Sequence, residues 1–497
     1  MKSAIPHLRK NAALGVFCVL FLFINIITLN DGHNWGDDFA QYIHHARNIV
    51  EHKAYDAPLM LEEWVTVPPG FPLLIAPIIK LFGLNFPILK FMNILYWLLA
   101  TLGVYALAKR YTSRPAALMI ALVLLSSPRF FTFKQNVLAD IPFSLFVVAT
   151  VYAVMRFEDS PLREKPALKM FWLASIFFFS GYAFLIRNAG VILFLALAIH
   201  FMIYRRSLRL IAGLAAALAG IWLMQQSLGV APAQYYERLN ISFSQWAHLL
   251  IKNISSPFTL MYQFFTPDLF GLWPKLDRLV TGLVKGAAPL ILLAMAAVFI
   301  YKIKKKTLAF WENFLILFLF LMPFWPIPDG RYVYPIVGFA LMAMIRAAEG
   351  IELILKRISG RIPFHAQKCA RSVLLILFIL NVATTGMLFN FNDNMIYQSE
   401  PLAVMRWMTT HMKSDEHFMF HKPRALGLLT GRMGTPLWMH SKDKNNMAGR
   451  IRKFDIDYLI IIKQFDRPLI DQLEPAGVTV HSVWESPTYQ IFKVLEL

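Results

Sequence analysis

Cysteine is almost missing from this chain, with two among 497 residues, Cys18 inside an apolar run and Cys369 in a basic one. So sparse a pair supports neither a disulfide framework nor a thiolate metal site. Acidic residues are also few, 30 Asp and Glu against 49 Lys and Arg, and charged residues of both signs make up only 16%. There is no Gly-rich phosphate loop and no dinucleotide fingerprint, which removes the common means of gripping a nucleotide. No internal repeat or low-complexity run is found. What is present is apolar: 57% hydrophobic residues, 14% aromatic, and a mean hydropathy of +0.51. That is far above a soluble domain and marks a polytopic membrane protein. The formal net charge of +19 would suggest nucleic acid in a soluble protein. Here Lys and Arg cluster in short segments between apolar runs, a signal of topology, and no nucleic-acid partner is expected.

Lys2, Arg9 and Lys10 precede an uncharged run from Asn11 to Leu29, long enough to span a membrane. No small-residue cleavage site precedes Asn30, so the run is read as an uncleaved first helix with its N-terminus inside rather than a signal peptide. Further apolar runs lie near 91–108, 115–128, 141–155, 170–186, 188–204, 210–231, 286–301, 313–328, 332–345 and 372–392. Several are shorter than the roughly 20 residues of a span and need flanking residues or tilt. With about eleven spans, the groups Lys109/Arg110/Arg114, Arg163/Lys165/Lys169, Arg205/Arg206/Arg209, Lys302/Lys304/Lys305/Lys306 and Lys356/Arg357/Arg361/Lys368/Arg371 all fall on the cytoplasmic side. The segment Trp64–Ile79 is set apart by Pro68, Pro69, Pro72 and Pro77, too many missing donors for a regular lipid-exposed helix. It is read as a juxtamembrane or re-entrant element on the outer side.

The predicted fold class is therefore mostly α: a polytopic helix bundle with outer juxtamembrane helices and a small C-terminal α/β soluble domain. The expected division is 1–392 for the membrane part, with an outer catalytic loop at 30–90, and 393–497 for an extracytoplasmic domain. Other outer segments are expected near 129–140, at Arg187, near 329–331 and over roughly 232–278. In the tail, Glu400–Met412 has helical spacing, while Tyr458–Ile462, Val478–Trp484 and Tyr489–Val494 read as strands.

Chemistry is sought on the outer face. After Asp38, Phe39, Ile43, Ala46 and Val50 recur at helical spacing, predicting an amphipathic helix in the interface. Asp37 and Asp38 stand at its start, where backbone N–H groups favour a carboxylate, so helix capping and catalysis both account for the pair. Asp140 stands at the mouth of one helix, Arg187 between two helices, and Arg331 at the mouth of another. Each alone could simply reach the interface from a helix end. Together, acids and arginines on one face could bind an anionic head group and remove a proton beside it. His33, His44 and His45 lie near the acid pair in sequence. Two acids could hold a divalent cation through oxygen, though interfacial histidines are commonly ordinary solvated residues, and the metal is left unknown.

The order of these features resembles the GT-C polyprenyl-phosphate-sugar glycosyltransferases, in the branch of the protein O-mannosyltransferases and the lipid A aminoarabinose transferases. The resemblance rests on Gly36-Asp37-Asp38-Phe39 with Tyr42, Pro68-Pro69-Gly70-Phe71-Pro72, Ala139-Asp140-Ile141-Pro142, Ile186-Arg187-Asn188-Ala189-Gly190 and Gly330-Arg331-Tyr332. It covers roughly 1–350 and, more loosely, the tail. It implies Asp37 as base, Asp38 and Asp140 as further acids of the catalytic set, and Tyr42, Pro68, Pro69, Arg187 and Arg331 as substrate-binding residues. Two departures stand out: Thr66 and Val67 occupy positions where some members carry a Lys before the Pro-Pro pair, and Asp38 replaces a frequent Glu. The implied reaction is transfer of a sugar from a polyprenyl-phosphate donor to a lipid, glycan or protein acceptor hydroxyl, with inversion, at the outer face of a cytoplasmic (inner) membrane. A transporter or flippase of a lipid-linked sugar and a glycan polymerase or ligase are the alternatives. A transporter needs charged groups near the midplane, whereas here they gather at one interface.

Overall fold

The apolar runs become helices, as expected of a backbone that must satisfy its own hydrogen bonds away from water. The computed structural model describes residues 5–62, 66–160, 166–204, 207–230, 242–265, 274–325, 329–359, 365–437 and 447–496. Trp64, Arg163, Lys165, Arg205, Arg206 and Arg361, and the stretches 231–241 and 266–273 of the expected outer loop, lie outside these residues.

The chain opens with α1 (Ile5–Ile27), α2 (Asp38–Val50), α3 (Gly70–Phe82) and α4 (Phe86–Tyr111). It continues through α5 (Arg114–Leu125), α6 (Pro128–Phe133), α7 (Asp140–Asp159), α8 (Pro166–Ile186), α9 (Val191–Tyr204) and α10 (Leu208–Ser227). Later helices span Phe243–Asn253, Ser256–Phe265, Pro274–Lys305, Phe310–Leu321, Val337–Ser359 and Ala366–Met387. Among the described residues, seven helical stretches are long and apolar enough to cross a membrane, and four shorter apolar helices accompany them. Of the four expected spans outside the seven, those in Ala12–Ile27, Asn188–Tyr204 and Phe310–Phe324 are the shorter apolar helices, and the run 332–345 falls in the helix Val337–Ser359, which is in neither group. Helices α4, α5, α7 and α8 pack together around buried Trp97, Val104, Ile120, Val147 and Val151. Leu290, Leu293, Ile376 and Ile379 stand exposed, as residues facing lipid would.

The proline-rich segment, expected as a juxtamembrane or re-entrant element, is a short helix from Gly70. Pro72 falls in the first turn, where an amide hydrogen has no helical partner anyway, so only Pro77 interrupts the ladder. Helix α2 also departs from the expected interfacial helix. Phe39, Ile43 and Ala46 are buried, but so are the polar Gln41, His45 and Asn48. The second cover is the tail, whose Pro423–Thr430 helix lies on α2.

The tail contains the expected helix, Ser399–His411, and a five-stranded sheet ordered β2-β1-β3-β5-β4. Its strands are β1 (His417–Phe420), β2 (Gly434–Pro436), β3 (Ile456–Ile462), β4 (Thr479–Glu485) and β5 (Tyr489–Glu496). The pairs β1/β2 and β1/β3 are parallel, whereas β3/β5 and β5/β4 are antiparallel. Strand alternation divides the side chains between two cores. Phe418, Phe420, Tyr458 and Ile460 join the bundle core, while Met419, Leu459, Ile461 and Phe492 pack with Ile451 and Leu473 in a separate one.

Candidate active site

The loop before α2 is held from several sides. His33 accepts from the Val137 N–H at Nε2 (3.0 Å) and donates from Nδ1 to the Asn34 carbonyl (3.1 Å), so it is neutral, and burial brings its pKa down to about 3. Its ring stacks on Phe39 at 3.8 Å. Asn34 donates to Asn136 Oδ1 (2.9 Å) and Asp393 Oδ2 (2.6 Å), and its own Oδ1 accepts from Gly36 N at 2.8 Å, turning the chain into α2. Lys90, buried in α4, donates to the carbonyls of Asn30 and Gly32 and to Gln135 Oε1. These bonds fix where Asp37 and Asp38 stand.

Asp37 occupies the N-cap position but makes no capping bond with its side chain. Its Oδ1 instead accepts from the Ala425 N–H at 3.2 Å, at the start of the Pro423–Thr430 helix. Capping of α2 therefore does not account for this carboxylate. Burial raises its pKa above the ordinary carboxylate value, against the opposing pull of Arg424, the Ala425 N–H and Lys422. Asp38 accepts at Oδ2 from Arg331 Nη1 at 2.9 Å and keeps 48% of its side chain exposed. Burial pushes its carboxyl up, but Arg331 and then Arg424 and Arg187 outweigh that and hold it below its usual range. The two adjacent acids thus have pKa values displaced in opposite directions.

Asp140, the first residue of α7, is ion-paired with Arg187, which follows α8. Arg331 also pairs with Asp329, with Nε and Oδ2 3.2 Å apart. Both arginines approach Tyr332, at 5.3 and 5.8 Å from its ring centre, and Trp325 Nε1 donates to the Tyr332 hydroxyl at 3.0 Å. Tyr42 packs edge-on against Phe71 at 5.0 Å and acts electrostatically on Arg187.

Pro68 and Pro69 are buried, and their observed effect is to deliver Gly70 to the end of α8. A Cβ on Gly70 would stand 2.5 Å from the Leu185 carbonyl carbon and 2.6 Å from Ile186 N. The Tyr182 hydroxyl donates to the Gly70 carbonyl at 3.1 Å. The Pro-Pro-Gly turn is thus a spacer that seats the Arg187 segment.

Asp37, Asp38, Asp140, Arg187, Arg331 and Tyr42 come together around one end of the bundle. The histidines do not form a cluster with the acids: His44 Nε2 donates to the Ala57 carbonyl (2.8 Å) and His45 Nδ1 to the Tyr55 carbonyl (2.7 Å), bracing the loop after α2. Among the described residues, no group of three His, Cys, Asp or Glu side chains is placed to hold a metal ion. Sequence reasoning missed Lys90, Arg129 and Arg424. Lys90 had a signal, a charge inside an apolar run. Arg129 lies where a Cβ on Gly330 would be 2.8 Å from its Nη2, and Arg424 sits far off in a tail with no motif.

Comparison with known proteins places this geometry in a context. Residues 66–226 match the family described as dolichyl-phosphate-mannose-protein mannosyltransferase. No curated protein sequence matches the chain. Among solved structures, ArnT from Cupriavidus metallidurans in the apo state superposes with a TM-score of 0.55 at 12% identity, covering 97% of this chain and 98% of that one. The same protein bound to undecaprenyl phosphate gives 0.56 at 11% over the same shares. The archaeal oligosaccharyltransferase AglB from Archaeoglobus fulgidus, in complex with an inhibitory peptide and a dolichol-phosphate, gives 0.54 at 14%, covering 92% of this chain and 70% of that one. The chain thus shares its fold with ArnT and AglB, and its residues 66–226 match the model of the dolichyl-phosphate-mannose-protein mannosyltransferase family.

Proposed function

We propose that this protein is a membrane glycosyltransferase that moves a sugar from a polyprenyl-phosphate carrier to an acceptor hydroxyl at the outer face of the cytoplasmic membrane, with inversion. The observation that carries the reading is the meeting of two oppositely perturbed carboxylates, Asp37 and Asp38, with arginines from two other parts of the bundle. Such a divergence between neighbouring acids is the pattern of a base beside a permanently charged partner.

In the mechanism, Asp37 accepts the acceptor's hydroxyl proton as that oxygen forms its bond to the anomeric carbon. The bond from that carbon to the phosphate oxygen breaks, and its electron pair leaves with the polyprenyl phosphate. Guanidinium groups oppose the charge that collects there. Asp38 and Asp140 hold Arg331 and Arg187 in place. Direct displacement without a covalent intermediate inverts the anomeric centre.

Sidedness is supported by the ends of the helices. The site lies where α4 and α7 begin and α8 ends, whereas the Arg110–Asp159 pair (3.0 Å) and the Lys302–Lys305 group mark opposite helix ends rich in basic residues. Residues 393–497 form the extracytoplasmic domain in this reading. The concentration of charge at one end of the bundle speaks against a midplane transport site.

The test is purified protein in nanodiscs, and in parallel in sealed vesicles, supplied with synthetic polyprenyl-phosphate sugars and separate lipid, glycan and peptide acceptors, with products read by mass spectrometry and NMR. A glycosylated acceptor of inverted configuration is expected. Lipid-linked sugar that crosses a vesicle without transfer to any acceptor would overturn the reading.

A further inference from the structure

The cations around the acid pair are not equivalent. Arg187 is paired with Asp140, and Arg331 with Asp38 and Asp329. An incoming anion reaches either one only in competition with a carboxylate already held there. Arg424 differs in that it makes no ion pair among the described residues; its Nε, like that of Arg331, is enclosed without a hydrogen-bond partner. A guanidinium with no carboxylate partner can take an anion without displacing one.

Its position is set by the chain around it. Arg424 stands in the first turn of the Pro423–Thr430 helix, one residue before Ala425, whose N–H reaches Asp37. That helix is moored to α2 by Arg47, which donates to the Leu428 carbonyl at 3.2 Å. The Leu61 N–H donates to the Gly434 carbonyl of β2 at 3.0 Å, and Glu62 pairs with Arg450 at 3.3 Å. Trp35 meets Phe420 edge-on at 5.3 Å. The sheet-bearing tail is thus docked on the loop and helix that present the acids, and Arg424 is one of the charged groups, with Lys422 and Arg450, that it brings to that junction.

We propose that Arg424, supplied by the C-terminal unit, completes the membrane site as an anion-binding residue and takes the phosphate of the polyprenyl-phosphate donor. The proposal rests on the donor class proposed above. A guanidinium suits the task, since its planar fork presents parallel donors to phosphate oxygens. The donor's phosphate would then be gripped between the bundle and the tail.

The test compares binding of synthetic decaprenyl phosphate and uncharged decaprenol to the full chain in nanodiscs, for wild type, Arg424→Gln and Arg424→Lys, by quenching of tryptophan fluorescence. Wild type should prefer the phosphate, Arg424→Gln should lose about tenfold or more of that preference, and Arg424→Lys should recover part of it, with decaprenol binding unchanged throughout. Equal loss of both ligands in both variants would mean Arg424 only supports the fold, and the proposal fails. A full phosphate preference in Arg424→Gln, abolished instead by Arg331→Gln, would also overturn it while leaving the donor class intact. A wild type that does not distinguish phosphate from alcohol would overturn the donor class itself.

Discussion

Replacing Arg187 with glutamine removes the charge that faces Asp140, whose side chain is 3% exposed beside an arginine that is 18% exposed. Neither group can turn to water without moving its helix end, so the carboxylate is left enclosed with a neutral partner. Breaking a buried ion pair in this way costs about 3–5 kcal/mol. Placement of the pair at the bundle end argues for the lower part of that range, about 3 kcal/mol. Removing both charges with Arg187→Gln and Asp140→Asn eliminates the enclosed charge and should restore about 2 kcal/mol, a coupling that additive sites do not show. The assay is reversible unfolding of the four proteins in mixed micelles, read by tryptophan fluorescence, alongside transfer rates on the folded samples. Stability should return in the double variant while transfer remains depressed, because one of the guanidinium groups proposed to oppose the leaving group's charge is still gone. Costs that add to within about 0.5 kcal/mol would refute the pairing argument, and full transfer by the double variant would remove Arg187 from the site.

Gly70→Ala should force α3 away from the end of α8, costing about 1–3 kcal/mol in stability and up to about a hundredfold in transfer by displacing Arg187. Unfolding and rate measurements on that variant check it, and wild-type values in both would contradict the close packing. Lys90→Met strips the enclosed carbonyls of Asn30 and Gly32 of their donor. It should cost about 3 kcal/mol in the same unfolding assay. The pH profile of transfer should show an acid limb above the ordinary Asp value of about 3.9, since burial raises Asp37 and the base must lose its proton to act. Arg424→Gln, which removes a cation that lowers this value, should move the limb to higher pH. Asp38 works in the other direction: its folded pKa is depressed, so the stability from its pair with Arg331 is present above about 3.9 and lost as the pH falls through the lower folded value.

The membrane bundle was legible because lipid demands long uncharged helices, and the three tail strands richest in β-branched and aromatic residues showed themselves by the same logic of composition. β1 and β2 were not legible, being only four and three residues long. β2 pairs only with β1, and β1 pairs with β3, whose residues lie tens of positions away. Asp37, Asp140, Arg187 and Arg331 could be picked out because each interrupts an apolar context at a helix end. Their convergence, and the ion pairs Arg187–Asp140 and Arg331–Asp38, depend on tertiary packing such as that of Gly70 of α3 against the end of α8. Arg424 was invisible for the opposite reason. It sits among other charges in a polar tail, and only the docking of that tail on α2 brings it to the acids.

The most direct measurement is the single-turnover rate of sugar transfer by Asp37→Asn and wild type, on the same lipid-linked donor, with donor binding measured in parallel. Loss of a general base should slow transfer by about 10²–10⁴-fold while the asparagine variant still binds donor and unfolds as a folded protein. Transfer at the wild-type rate by Asp37→Asn would contradict the account at its centre.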